Sequence, residues 1–135
     1  MQGPGFRLLA SLILAGVLLG AGCRCELVGE GIVRTELYFG LSRADGGQVT
    51  EREWEEFVDK YVVGRFKDGF TVVDGQGWWR NEEGEMISEK SKVLIVIHRE
   101  SAQAQADIKY VRKKYKELFG QESVLRITDG VEVSY

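Results

Sequence analysis

The chain has 135 residues, 44% hydrophobic and 29% charged, with 18 basic against 21 acidic side chains and a net charge of −3. This is the balance of a globular chain rather than a disordered one, long enough for one compact domain behind an export signal. Its mild acidity supplies no basic stripe and excludes nucleic acid as a partner.

The first 22 residues differ from the rest. Arg7 and the α-amino group make a weakly basic head, and Phe6–Leu19 is apolar apart from Arg7 and Ser11. Gly20, Ala21 and Gly22 then supply small residues before Cys23. This is the three-part layout of a secretory signal peptide. The apolar run is shorter than the roughly 20 residues a spanning helix needs.

Small residues ending in Cys resemble a bacterial lipoprotein signal, where the thiol receives a diacylglyceryl group and becomes the new N-terminus. The usual Leu three places before the Cys is Gly20 here, with Leu19 one place early. The layout predicts an exported protein anchored to the membrane by a lipid on Cys23. It would sit on the outer side of the cytoplasmic membrane, in the periplasm or at the outer membrane, with free secretion as the alternative. Cys25 reads as an exposed tether residue, since C-x-C without further ligands is not a metal site. The expected organisation is a signal peptide over 1–22, a tether over 23–34 and one α+β domain over 35–135.

Thr35–Ser42 is the first predicted strand, and Ile32 and Val33 extend toward it. Leu37, Phe39 and Leu41 point one way, while Glu36, Tyr38, Gly40 and Ser42 point the other. A loop follows, with Asp45-Gly46-Gly47 as its turn. Thr50-x-x-Glu53 is a capping box that starts a helix bearing Trp54, Phe57, Val58 and Tyr61 on its core face. Gly64 ends that pattern.

Phe70–Asn81 and Glu85–His98 read as a hairpin with its tip at Asn81–Gly84. Centring the hairpin on Glu82-Glu83 sets Gly75–Gly77 opposite Ser88–Lys90 and predicts a bulge or bend there. The Gly-x-Gly precedes two tryptophans rather than a helix, so it is not a dinucleotide loop. Ser101 caps a second helix with Ile108, Val111, Tyr115, Leu118 and Phe119 as its buried stripe, ended by Gly120. Lys109, Arg112, Lys113, Lys114 and Lys116 make its other face basic. Ser123–Thr128 is the last main strand, and Asp129-Gly130 is a turn signal. Beyond it, Val131–Tyr135 is expected as a hairpin partner or a continuation after a bulge.

The order β-α-β-β-α-β with right-handed crossovers predicts a ferredoxin-like α+β sandwich, sheet order 4-1-3-2, with both helices on one face of an antiparallel sheet. The expected covered face carries Leu37, Phe39, Ile95, Ile97, Leu125 and Ile127. The expected open face carries Glu36, Tyr38, Leu94, Val96, His98, Val124 and Arg126.

From Thr35 onward the sequence resembles a family of bacterial exported proteins catalogued as domain-of-unknown-function family 3574. The residues that carry the likeness are Glu36-Leu37-Tyr38-Phe39-Gly40, Trp54, Gly75-Gln76-Gly77 with Trp79-Arg80, Ser91-Lys92-Val93-Leu94, Tyr115, Phe119, Gln121, Ser123 and Val124. The resemblance implies a single exported domain and assigns no catalytic residue.

Three functional readings follow. An open sheet face can bind a small ligand, a partner protein or a second copy of the chain. Alternatively, a small cofactor-free enzyme of dimeric α/β-barrel type would use His98 as general base oriented by Glu36, with Tyr38 beside them and Arg126 holding an anion. The third reading is a purely structural or assembly protein, in which Glu36 and Arg126 form a cross-strand ion pair and His98 simply ends a strand. No nucleophile motif, phosphate loop or metal cluster accompanies the four, and a single His without Cys or carboxylate help does not build a zinc site. No cofactor is expected.

Overall fold

Strand β1 (Ile32–Gly40) alternates between sheltered and open positions along its length. The computed structural model describes residues 31–134. The signal peptide, Cys23, Cys25 and most of the tether therefore lie outside the described residues.

Thr50 caps helix α1 (Glu51–Phe57) through the predicted capping box, its hydroxyl accepting from the Glu53 amide while the Glu53 carboxylate accepts from the Thr50 amide. The helix widens into a π-helical turn, Val58–Val62, where the Val63 amide donates to the Val58 carbonyl at 3.0 Å. Hydrogen bonds that span five residues instead of four widen the turn, and Val62 is fully buried in the core with Trp54 and Phe57. Strands β2 (Thr71–Arg80) and β3 (Met86–Arg99) form the hairpin, helix α2 (Ala102–Phe119) follows, and β4 (Leu125–Gly130) closes the sheet. Ser101 caps α2 by accepting from the Ala104 amide, and Gly120 ends it at φ +67°.

The sheet order is β2-β3-β1-β4, and every pairing is antiparallel. This is the predicted ferredoxin-like α+β sandwich with both helices on one face. Phe39 lies at its centre, with ring centroids 5.3 Å from Trp54, 5.9 Å from Phe57 and 4.7 Å from Tyr115. Tyr115 is fully buried and donates to the Gly40 carbonyl at 2.7 Å, so its one polar atom is satisfied inside the aromatic cluster. Burial pushes that phenol far above the usual tyrosine range. Each such side chain contributes about 1.5–3 kcal/mol by leaving water.

The register corrects the expected facing of β3 and β4. Leu37 pairs with Leu94 and Thr35 with Val96, so Leu94 and Val96 face the helices and are buried. Ile95 and Ile97 lie on the uncovered side instead. On β4, Leu37 pairs with Arg126, which places Arg126 on the helix side and leaves Leu125 and Ile127 exposed. Val124, expected on the open face, is also buried, and Arg112 of α2 donates to its carbonyl at 2.8 and 3.1 Å.

Three further expectations change. The hairpin pairs Gly75 with Ser91 and Gly77 with Glu89, one residue from the predicted register, and its ladder runs unbroken from Thr71 to Arg80 without a bulge. A Cβ at Gly75 would come within 2.9 Å of Ser91 Oγ, which would have to turn aside. Asp129 and Gly130 make no turn: they pair with Arg34 and Val33 as the end of β4. The Val131 amide adds one more bond to the Ile32 carbonyl at 3.2 Å. Leu118, expected in the buried stripe, is 48% exposed.

β1 stops pairing with β3 at Gly40–Ser91, apart from one bond from the Leu41 amide to the Lys90 carbonyl. The β2–β3 ladder continues from Gly77–Glu89 to Arg80–Met86. These last four pairs form a two-stranded arm reaching roughly 13 Å beyond the body at about 3.3 Å per residue. A turn with Gly84 at φ +85° closes it.

Candidate functional site

Helices α1 and α2 leave the other face of the sheet open, and the central strand β1 runs through its middle. Arg34, Glu36 and Tyr38 are the residues β1 presents there. Glu36 lies between Ile95 and Ile127, Tyr38 between Val93 and Leu125, and Arg34 between Ile97 and Asp129. Aliphatic neighbours on both sides shelter the Glu36 side chain to 16% exposure.

Its carboxylate is held from two directions. The Tyr38 hydroxyl donates to Oε2 at 2.6 Å, and Arg34 Nε approaches Oε1 at 3.2 Å. Arg34 also reaches Asp129 at 3.6 Å. Donation to the Glu36 carboxylate, reinforced by burial and charge repulsion, holds the Tyr38 phenol above its ordinary pKa. At neutral pH this is a proton-donating phenol bonded to a carboxylate, not a phenolate nucleophile. Around it lie exposed Val73, Ile97, Leu125 and Ile127.

The four residues expected together divide into two pairs. Glu36 and Tyr38 share the open face. His98 pairs across from Val33, and Arg126 from Leu37, which puts both on the helix side. There they end a polar chain that the sequence reading did not anticipate. His98 Nδ1 lies 2.9 Å from the Arg99 carbonyl, which only accepts, so Nδ1 carries the proton. Nε2 bonds to the Thr35 hydroxyl at 2.9 Å. The Thr35 hydroxyl bonds in turn to that of Thr128 at 3.1 Å, and Thr128 accepts from Arg126 Nε at 2.9 Å. Arg126 also donates to Gln105 Oε1 of α2 at 2.7 Å. The chain satisfies a fully buried Thr35 and occupies both ring nitrogens of His98. Both ring nitrogens of His98 are thus engaged within the protein, and neither meets Glu36.

Two grooves lie on the helix side. The larger, about 500 Å³, runs between α1 and β2 over Trp54 and Val72. Lys92 closes its floor, its side chain 7% exposed and bonded to Glu51 at 2.7 Å and Asp74 at 2.6 Å. Burial pushes the ammonium down, but the two carboxylates outweigh it and hold Lys92 above its ordinary pKa. The signal in the sequence was a lone charge heading the apolar run Val93–Ile97. The smaller groove, about 280 Å³, lies between the 65–69 loop and the start of α2, with His98 on one wall. Among the described residues, no three His, Cys, Asp or Glu side chains are placed to hold a metal ion. No helix among them is long and apolar enough to cross a membrane.

Solved structures share the fold. A phage SAM lyase in complex with S-methyl-5′-thioadenosine superposes with a TM-score of 0.57 at 23% identity, covering 76% of this chain and 83% of that one. The apo state of a phage SAM lyase gives 0.55 at 20% identity, covering 73% and 82%. CutA1 from Pyrococcus horikoshii gives 0.49 at 16% identity, covering 76% and 86%. At these identities the likeness to the two lyase structures is one of fold. No curated protein matches the chain. The family model described as "Protein of unknown function (DUF3574)" matches residues 34–135, and the chain belongs to that family.

Proposed function

We propose that this protein is a binding module, exported and tethered outside the cytoplasm through Cys23, and that it docks a partner protein on its open sheet face. One observation carries the reading: exposed aliphatic side chains surround a sheltered, internally bonded Arg34–Glu36–Tyr38 strip on the face no helix covers. An apolar surface with a few fixed polar groups at its centre suits recognition of a protein surface. The acid–base alternative needs Glu36 to orient His98, and the two stand on opposite faces of the sheet.

A photo-crosslinking residue at Ile127, in cells expressing the full chain, is expected to trap one dominant partner, including a second copy if that is the partner. The same probe at Lys109, behind the helices, should trap a different set. Adding Leu125→Lys should abolish the Ile127 product at unchanged protein level. Absence of any Ile127 product, or persistence of it in the Leu125→Lys chain, would overturn the reading. Mass spectrometry of the purified protein tests the tether, since an unmodified N-terminus at or after Cys23 excludes the lipid.

A further inference from the structure

The two-stranded arm has a feature that its own chain does not account for. A β-ribbon without a third strand or a covering helix is marginal in water, because neither of its faces is buried. Yet this arm carries Trp78 at 63% exposure and Trp79 at 51%, on opposite faces because they are adjacent in a strand. Met86, paired with Arg80 at the arm's end, is 55% exposed. Together these three side chains leave on the order of 300 Å² of mostly apolar surface in water. That is as large as the main patch of a typical monomer, on a segment with no core behind it.

The charges on and near the arm narrow the occupant. Its tip carries Glu82, Glu83 and Glu85, and among the described residues neither Glu82 nor Glu83 has a cationic partner. Such a tip disfavours an anionic lipid surface, where exposed Trp would otherwise suggest insertion. The complementary charge lies on this same chain. α2 has five cations against two acids, and its outward face presents Lys109, Lys113 and Lys116. Lys113 shares Glu117 with Lys114, while Lys109 and Lys116 have no carboxylate partner among the described residues. An acidic arm that projects beyond the body and a basic helix on the body are mutually attractive surfaces of one sequence.

We propose that the arm is an assembly device: one face of the arm of one copy lies against helix α2 of a second copy, burying Trp78 and Met86, which share that face, and setting Glu82, Glu83 and Glu85 against Lys109, Lys113 and Lys116. The contact is between two different surfaces, so it joins copies head to tail and closes only where the rotation allows a ring. It is independent of whatever the open sheet face binds.

Charge exchange on the full chain tests this. Native mass spectrometry at tens of micromolar is expected to show an oligomer, with Trp emission shifting to the red as dilution re-exposes the arm. Glu82→Lys, Glu83→Lys and Glu85→Lys together should weaken assembly at least about tenfold, the loss of one to two kcal/mol of interface charge pairing. Lys109→Glu, Lys113→Glu and Lys116→Glu together should do the same. An equimolar mixture of the two variants should recover assembly, because each arm then meets a helix of opposite sign. Far-UV circular dichroism checks that both variants fold; the substituted positions are exposed, and Leu125→Lys on the sheet face should leave this assembly intact. A wild-type monomer at these concentrations would overturn the proposal, as would two weakened variants that stay apart when mixed, or assembly lost through Leu125→Lys alone.

Discussion

Thr50 shows how far a few polar atoms determine local structure. Its hydroxyl and amide hold the Glu53 carboxylate, with Arg43 Nη2 a further 2.5 Å donor. Donation from the Thr50 amide, then from its hydroxyl and from Arg43, lowers the Glu53 pKa from 4.5 to about 2. A carboxyl held below its unfolded value adds stability that is fully present above pH 4.5 and is lost as the pH falls through about 2. Thr50→Ala is expected to cost about 1 kcal/mol at neutral pH in urea denaturation. It should also flatten the dependence of stability on pH over that acidic window, and an unchanged acid limb would show that Glu53 is held by something else. Thr35 makes a different point. Nothing in the local pattern marks it as buried, because the strand alternation admits Thr on either face. Its burial follows from a partner 63 residues away, His98, and another 93 away, Thr128.

Among the elements, the sequence was most informative where a local signal is self-contained. The capping box, the Ser101 cap and the Gly120 stop each depend on neighbours within a turn, and each was legible. Gly120 sits at φ +67° with open space around its Cα, so the backbone conformation alone demands glycine. Gly120→Ala is expected to lower stability by about 1 kcal/mol, and Gly120→Asn by less, read from thermal midpoints. Equal midpoints for all three would mean that the helix end relaxes. Facing was not legible in β3, because Val93–Ile97 is apolar at every position and a period of two cannot choose a side. In β4 the alternation itself misled. Arg126 turns toward the helices because Gln105 and Thr128 meet its guanidinium at their edge, while Leu125 and Ile127 are left in water. The resulting split of Glu36 and Tyr38 from His98 and Arg126 is therefore a consequence of tertiary pairing that no single strand announces.

At the scale of the whole molecule, one aromatic cluster joins three elements: Phe39 from β1, Trp54 and Phe57 from α1, Tyr115 and Phe119 from α2. Phe39→Ala removes the ring against which Trp54, Phe57 and Tyr115 all pack, and should cost about 3–5 kcal/mol. Chemical denaturation with Trp fluorescence reports it, and a loss below about 1 kcal/mol would mean that the cluster repacks across the sheet. The order of elements and of strands was readable because right-handed crossovers leave few topologies for this pattern. An uncovered face with Glu36 and Tyr38 on it followed from that topology, whereas the arm was not readable, since it is defined by where β1 stops pairing with β3.

The central position of β1 has a mechanical consequence. It is the first strand of the domain, paired along nine residues with β3 and along six with β4. A pull applied through the chain preceding Ile32 acts along the axis of this strand, so it loads both ladders in shear, and many hydrogen bonds must yield together. At the far end the β2–β3 arm has no third strand, so a sideways load on its tip is borne by its own four pairs alone. The domain is thus built to hold fast at its N-terminal end and to yield first at its far end.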